Sequence, residues 1–171
     1  MTFAELAASR YSVRKFKSDP IAEETLTAIL QAGRVAPTAC NYQPQKVFVV
    51  RNPELRAKLA EVSPCTFDAP VILVICYDKN VEAKSRLMPG YTFGEMDASI
   101  VCTHMMLQAW ELGIGSCWVG MFNDQDVSRV MDLPENLHVA ALLPMGHPAA
   151  DAVPAALHSS IRPTEETITY L

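Results

Sequence analysis

Apolar residues along the chain alternate between helical and extended spacing, and the alternation orders the elements. Thr2 with Glu5 reads as a capping box for a short first helix, with Phe3, Leu6 and Ala7 on one face. A polar, basic loop from Tyr11 to Asp19 follows. Pro20 then precedes a second helix over about Glu23 to Val35, with Leu26, Ile29 and Leu30 on one side and Pro37 as its stop. Val47 to Val50 is a short β-branched run and predicts a buried strand. Asn52-Pro53 is an N-cap followed by proline at the first helical position, which opens a third helix to about Glu61. Val71 to Tyr77 predicts a second buried strand, and Asp78 to Thr92 a polar loop.

From about Phe93 to Leu112 the pattern predicts the longest helix, closed by Gly113. Met96, Ile100, Val101, Met105, Met106, Leu107 and Trp110 make it apolar on most sides, which predicts a central, buried position. Ser116 to Met121 predicts a third strand, Asn123 caps a short helix through Met131, and Val139 to Leu143 predicts a fourth strand. The stretch from Ala149 to Leu171 is punctuated by proline and carries no apolar stripe of its own, so it is expected to lie across another surface. Such an order predicts an α/β three-layer architecture, with helices on both faces of a central sheet. There is no repeat or linker, so residues 1–171 are expected to form one domain.

Composition sharpens this picture. Half the residues are apolar and 19% are charged, a rich balance for a monomer of 171 residues, which raises the expectation of a shared interface. No signal-peptide pattern opens the chain, and no apolar run approaches the roughly 18 residues of a membrane span. The five cysteines form no CxxC pair and their number is odd. Reduced thiols in a soluble, cytoplasmic protein are therefore expected. A net charge of −5 argues against general nucleic-acid binding.

Four segments carry candidate chemistry. Arg10-Tyr11-Ser12-Val13-Arg14-Lys15-Phe16-Lys17 holds four of the fourteen basic residues of an acidic chain. In an extended stretch Arg10, Ser12 and Arg14 share a face and suit a phosphate. Taken alone, such a run is more often a solvated loop. Ala36-Pro37-Thr38 to Asn41-Tyr42-Gln43-Pro44-Gln45 is a proline-framed polar loop that suits a ligand contact, although taken alone it reads better as a plain helix stop and turn. In Gly113-Ile114-Gly115-Ser116-Cys117-Trp118-Val119-Gly120-Met121, Gly120 ends a strand where a flat ligand can approach. This GxG follows a helix rather than a strand, so it is no dinucleotide fingerprint. Arg162, before Pro163, says little alone. His104, His138, His147 and His158 lack metal-ligand spacing, and Cys40 lacks a histidine partner in sequence.

Together and in this order, these segments resemble the nitroreductase family. Arg10 to Arg14 is similar to its N-terminal phosphate motif, and Ala36-Pro37-Thr38 to Gln43-Pro44 to its APSxxNxQP loop. Asp97-Ala98, Leu112 to Ser116 and Trp118-Val119-Gly120 are similar to its long helix and following strand, and Pro144-Met145-Gly146-His147-Pro148-Ala149 to its late PxGxPA turn. The resemblance spans about Arg10 to Arg162. It implies a central mixed β-sheet and a homodimer with FMN at the subunit interface, the C-terminal tail embracing the partner. It further implies that Arg10 and Ser12 hold the FMN phosphate with Arg162, that Tyr11 between them belongs to the cofactor-binding set, and that Arg14 sits near the pyrimidine edge of the flavin. Pro37, Thr38, Asn41 and Gln43 would come from the other subunit, while Val119, Gly120 and Met121 would pass the flavin, with a backbone N–H available to N5.

Ser160 stands where the family often has a basic residue, so Lys15 or Lys17 is a candidate to compensate. Gln45 replaces an aromatic, and the brief Asp78–Thr92 stretch leaves little room for a covering helix, which implies an open pocket. The implied activity is ping-pong transfer of hydride from NADH or NADPH, through flavin N5, to an electron-poor acceptor such as a nitroaromatic or quinone. No side chain is required as acid or nucleophile. A flavin-dependent dehydrogenase, a reductive dehalogenase and a non-catalytic flavin-binding or sensing protein are the alternatives.

Overall fold

The computed structural model describes residues 1–171. In chain order the main elements are α1 (Phe3–Ser9), α2 (Glu23–Arg34), β1 (Gln45–Val50), α3 (Pro53–Val62), β2 (Val71–Asp78), α4 (Gly94–Glu111), β3 (Gly115–Ser116), α5 (Asp124–Met131) and β4 (Leu137–Gly146). The capping box closes as expected. Thr2 Oγ1 accepts the Glu5 N–H at 3.3 Å, and Glu5 Oε2 accepts the Thr2 N–H at 2.7 Å.

The strands lie in the order β1-β2-β4-β3. All three pairings are antiparallel. The parallel component of the expected mixed sheet is a single bridge, Ser12 to Ser116, at the β3 edge. Successive residues of β2 point to opposite faces. Val71, Leu73 and Ile75 pack with Leu26 and Ile29 of α2 and with Val101 and Met105 of α4. Ile72, Val74 and Cys76 pack with Leu59 of α3 and Val127 of α5. The helices on both faces explain why β2 reads as one unbroken apolar run rather than an alternating one.

Two strand boundaries differ from the sequence expectation, and one residue explains both. The fourth strand was expected to end at Leu143, before Pro144, but β4 continues to Gly146. The third was expected over Ser116–Met121, but its regular ladder covers Gly115–Ser116 and resumes only at the Val119–Leu142 bridge. Cys117 donates its N–H to the Pro144 carbonyl at 3.1 Å, and proline has no N–H to return. Pro144 thus sits inside a four-stranded sheet by facing its missing donor toward β3, at the cost of one rung.

Helix α4 is buried only on the side that meets the sheet and α2. Contrary to the all-round burial its sequence suggests, Met96, Ile100 and Leu107 on its other side line a groove of about 760 Å³. Phe3 and Leu6 of α1 and Val35 line the same groove. The tail beyond Ala152 is exposed throughout, with Leu157, Ile161 and Tyr170 open to solvent. No helix is long and apolar enough to cross a membrane.

Candidate functional site

The basic octet is built into the sheet edge. Val13 donates its N–H to the Ser116 carbonyl at 3.0 Å, and Lys17 donates to the His147 carbonyl at 2.8 Å. Val13 is fully buried against Gly115, where an added Cβ would lie 2.7 Å from Val13 Cγ2. With Val13 facing inward, Arg10, Ser12 and Arg14 at the alternate positions face the other way. They line one cavity of about 210 Å³, whose far wall is Ala155, Leu157 and His158 of the tail. No carboxylate is among the lining residues. Arg14 Nη1 donates to the Ser12 carbonyl at 3.1 Å, which steadies the guanidinium.

The same alternation removes the lysines. Neither Lys15 nor Lys17 lines the cavity, and Lys15 Nζ is held by Asp151 Oδ2 at 2.6 Å. Their expected compensation for Ser160 is therefore not what the structure shows. Arg162 is not brought to the cavity either. Its Nε and Nη2 both lie 3.0 Å from Glu166 Oε2, captured one turn along a short helix over Thr164–Thr167. Tyr11 acts as a brace. Its hydroxyl donates to the Ala152 carbonyl at 3.2 Å, and its ring meets Trp110 edge-on at 5.1 Å and His158 at 6.1 Å.

The loop after α2 is strained and held by two bonds. Cys40, Asn41 and Gln43 take left-handed φ angles of 54°, 55° and 52°, each costing a non-glycine residue about 1–2 kcal/mol. Thr38 Oγ1 accepts the Gln43 N–H at 3.0 Å, and Asp97 Oδ1 accepts the Ala39 N–H at 2.8 Å. Pro37, Asn41 and Gln43 are thereby presented to solvent. Asp97 is 2% exposed, and its Oδ2 has no hydrogen-bond partner within the chain. Burial pushes its carboxyl above the ordinary range; the Ala39 amide opposes this and Glu82 reinforces it. Sequence reading missed Asp97 as an anchor. The available signal was a carboxylate in the first turn of an otherwise apolar helix.

The third segment reaches the surface where expected. Val119 is buried and exchanges two ladder bonds with Leu142, at 2.9 and 3.0 Å, while Gly120 and Met121 are exposed. Ser63 Oγ donates to the Met121 carbonyl at 3.0 Å and fixes the strand end. Beneath it, burial pushes the Cys117 thiol up, opposed by a hydrogen bond with Ser12 and by Arg14 and Arg10. Burial, with Asp124, pushes Cys76 up to about 12, so it stays a protonated thiol at neutral pH.

The arginine cavity and the proline loop sit at opposite ends of α4. Asp97, which holds the loop, and Trp110, which packs on Tyr11, are thirteen residues apart on one helix. At 1.5 Å per residue this is about 20 Å.

The Nitroreductase family model matches residues 7–66 and 63–147. A crystal structure of a nitroreductase family protein from Clostridium difficile 630 superposes with a TM-score of 0.92 at 35% identity, covering 99% of this chain and 98% of that one. A protein of Methanothermobacter thermautotrophicus named as an NADH dehydrogenase/NAD(P)H nitroreductase is 33% identical over 156 residues, which are 87% of this chain and 78% of that protein. FMN reductase [NAD(P)H] of Bacillus subtilis is 30% identical over 81% of this chain and 62% of its own length. The chain belongs to the nitroreductase family.

Proposed function

We propose that the protein is an FMN-dependent NAD(P)H oxidoreductase acting as a homodimer. The observation that carries this reading is the convergence of Arg10, Ser12 and Arg14 on one cavity free of carboxylates. The Arg10 guanidinium and the Ser12 hydroxyl suit a phosphate dianion, which a neighbouring carboxylate would repel, and Arg14 adds a second cation beside them. The names of the Methanothermobacter and Bacillus relatives support the cofactor and the donor.

In this reading Arg10 and Ser12 hold the FMN phosphate. Arg14, next along the same face, supplies positive charge at the pyrimidine edge, where reduction leaves negative charge. Gly120 and Met121 offer a fixed backbone edge to the ring. Arg162 joins the phosphate only by leaving Glu166, an exposed pair of small strength. Pro37, Thr38, Asn41 and Gln43 belong to the partner's site, because the α4 residues that meet the loop and the octet, Asp97 and Trp110, lie about 20 Å apart along the helix. The apolar groove over α4 and the exposed tail give a second copy surface to cover.

Bound FMN supplies the redox chemistry, accepting hydride from NADH or NADPH and passing it to an electron-poor acceptor such as a nitroaromatic or quinone. The chain orients the ring and tunes its charge. Initial rates with either donor varied against a nitroaromatic or a quinone should give parallel double-reciprocal lines. Intersecting lines would contradict ping-pong turnover. A flavin-loaded protein inert with both donors would point instead to a flavin-binding role without catalysis.

A further inference from the structure

We propose that His158 is a phosphate-binding residue and makes cofactor affinity depend on pH. The inference rests on the flavin reading above and adds a residue to it. Ser160 and the Arg162–Glu166 pair leave the tail without a basic group at the cavity, yet the tail supplies one wall of it, and that wall contains an imidazole. Arg10, Ser12 and Arg14 make up the facing wall.

The imidazole is held in place. Tyr11 packs edge-on against the ring at 6.1 Å and ties the tail down through the Ala152 carbonyl. The His158 N–H donates to the Ala155 carbonyl at 2.8 Å, within the turn at Ala156–Ser159. The ring is thus carried on a short turn whose upstream side Tyr11 ties to the body of the protein. The charged and titratable groups facing it are Arg10 and Arg14 from the sheet edge and Tyr11. No carboxylate competes for the ring.

Charge decides the sign. A bound phosphate dianion favours the imidazolium, which donates a charge-assisted hydrogen bond to it. Proton and phosphate therefore bind cooperatively, and affinity falls as pH rises and the ring loses its proton. Below the second phosphate pKa of about 6, the ligand itself loses charge, which confines the effect to the region above it.

The test is equilibrium binding of FMN and riboflavin to apoprotein between about pH 6.5 and 8.5, above that phosphate pKa. It compares the wild type with His158→Gln and His158→Arg. Riboflavin lacks the phosphate and reports on the rest of the site. The expected result is about tenfold weaker FMN binding in His158→Gln near pH 6.5, the size of one charge-assisted contact, with riboflavin affinity unchanged. His158→Arg should keep FMN affinity and lose the pH slope, a rescue that a merely structural histidine does not allow. Wild-type protein that binds FMN with the same affinity and slope as His158→Gln would overturn the assignment alone. Equal loss of FMN and riboflavin in His158→Gln would overturn it too, by showing a packing role. Wild-type protein that takes up neither ligand would overturn the flavin reading along with it.

Discussion

Replacing Arg10 and Arg14 together by alanine should weaken FMN binding by roughly 100-fold or more, and riboflavin binding only by the share that Arg14 contributes at the pyrimidine edge. Each guanidinium facing the cavity is expected to make a charge-assisted bond to the ligand, worth about 1.5–3 kcal/mol. Losing two therefore exceeds any single change at this wall. The fold should tolerate the change. Arg14 is exposed, Arg10 is half-buried, and the octet is held by Val13 and by backbone bonds to Ser116 and His147 rather than by its arginines. Fluorescence titration with FMN, alongside a thermal melt, checks both parts. Near-equal FMN affinity in the variant would return the octet to a solvated basic run.

Asp97→Ala should damage the site from the other end of α4. It removes the acceptor for the Ala39 N–H, and an unpaired buried donor costs about 1–3 kcal/mol. It also releases a loop whose three left-handed residues hold about 3–6 kcal/mol of backbone strain. Relaxation of that loop should lower FMN affinity about tenfold or more, because in the proposed homodimer Asn41 and Gln43 would leave the partner's site. Asp97→Asn keeps an acceptor and should keep the loop. The pair also differs in pH response. Burial first, and then Glu82, raises the Asp97 carboxyl above its ordinary value, so its contribution to stability is fully present in acid and is lost as pH rises through the folded value. Wild-type stability should therefore gain on acidification relative to Asp97→Asn, which has no proton to take up there. Thermal melts of wild type, Asp97→Asn and Asp97→Ala at about pH 4.5 and 7 decide this. An Asp97→Ala protein with wild-type flavin affinity would show that the loop holds itself.

The elements were legible in the sequence because each is marked locally. The capping box at Thr2 and Glu5, the Asn52-Pro53 start of α3, the Asn123 cap of α5 and the unbroken apolar run of β2 all lie where residue type alone sets them. What was hidden depends on partners distant in sequence. Pro144 looks like a strand stop until β3 is seen to lie on the side of its missing N–H. Helix α4 looks central, yet a single chain covers only one side of it. The site divides in the same way. Sharing of a face by Arg10, Ser12 and Arg14 follows from alternation. The departure of Lys15 toward Asp151 follows from that alternation as well, although the sequence reading overlooked it. The loss of Arg162 to Glu166 and the arrival of His158 depend on how the tail folds back, which Tyr11, braced by Trp110 of α4, governs from far away in the sequence.

The most direct test of the central claim is the absorbance spectrum of the purified protein, followed by anaerobic addition of NADH and then NADPH. Bands near about 370 and 450 nm that bleach with one donor or both are the expected result. A colourless protein that takes up no added FMN would contradict it.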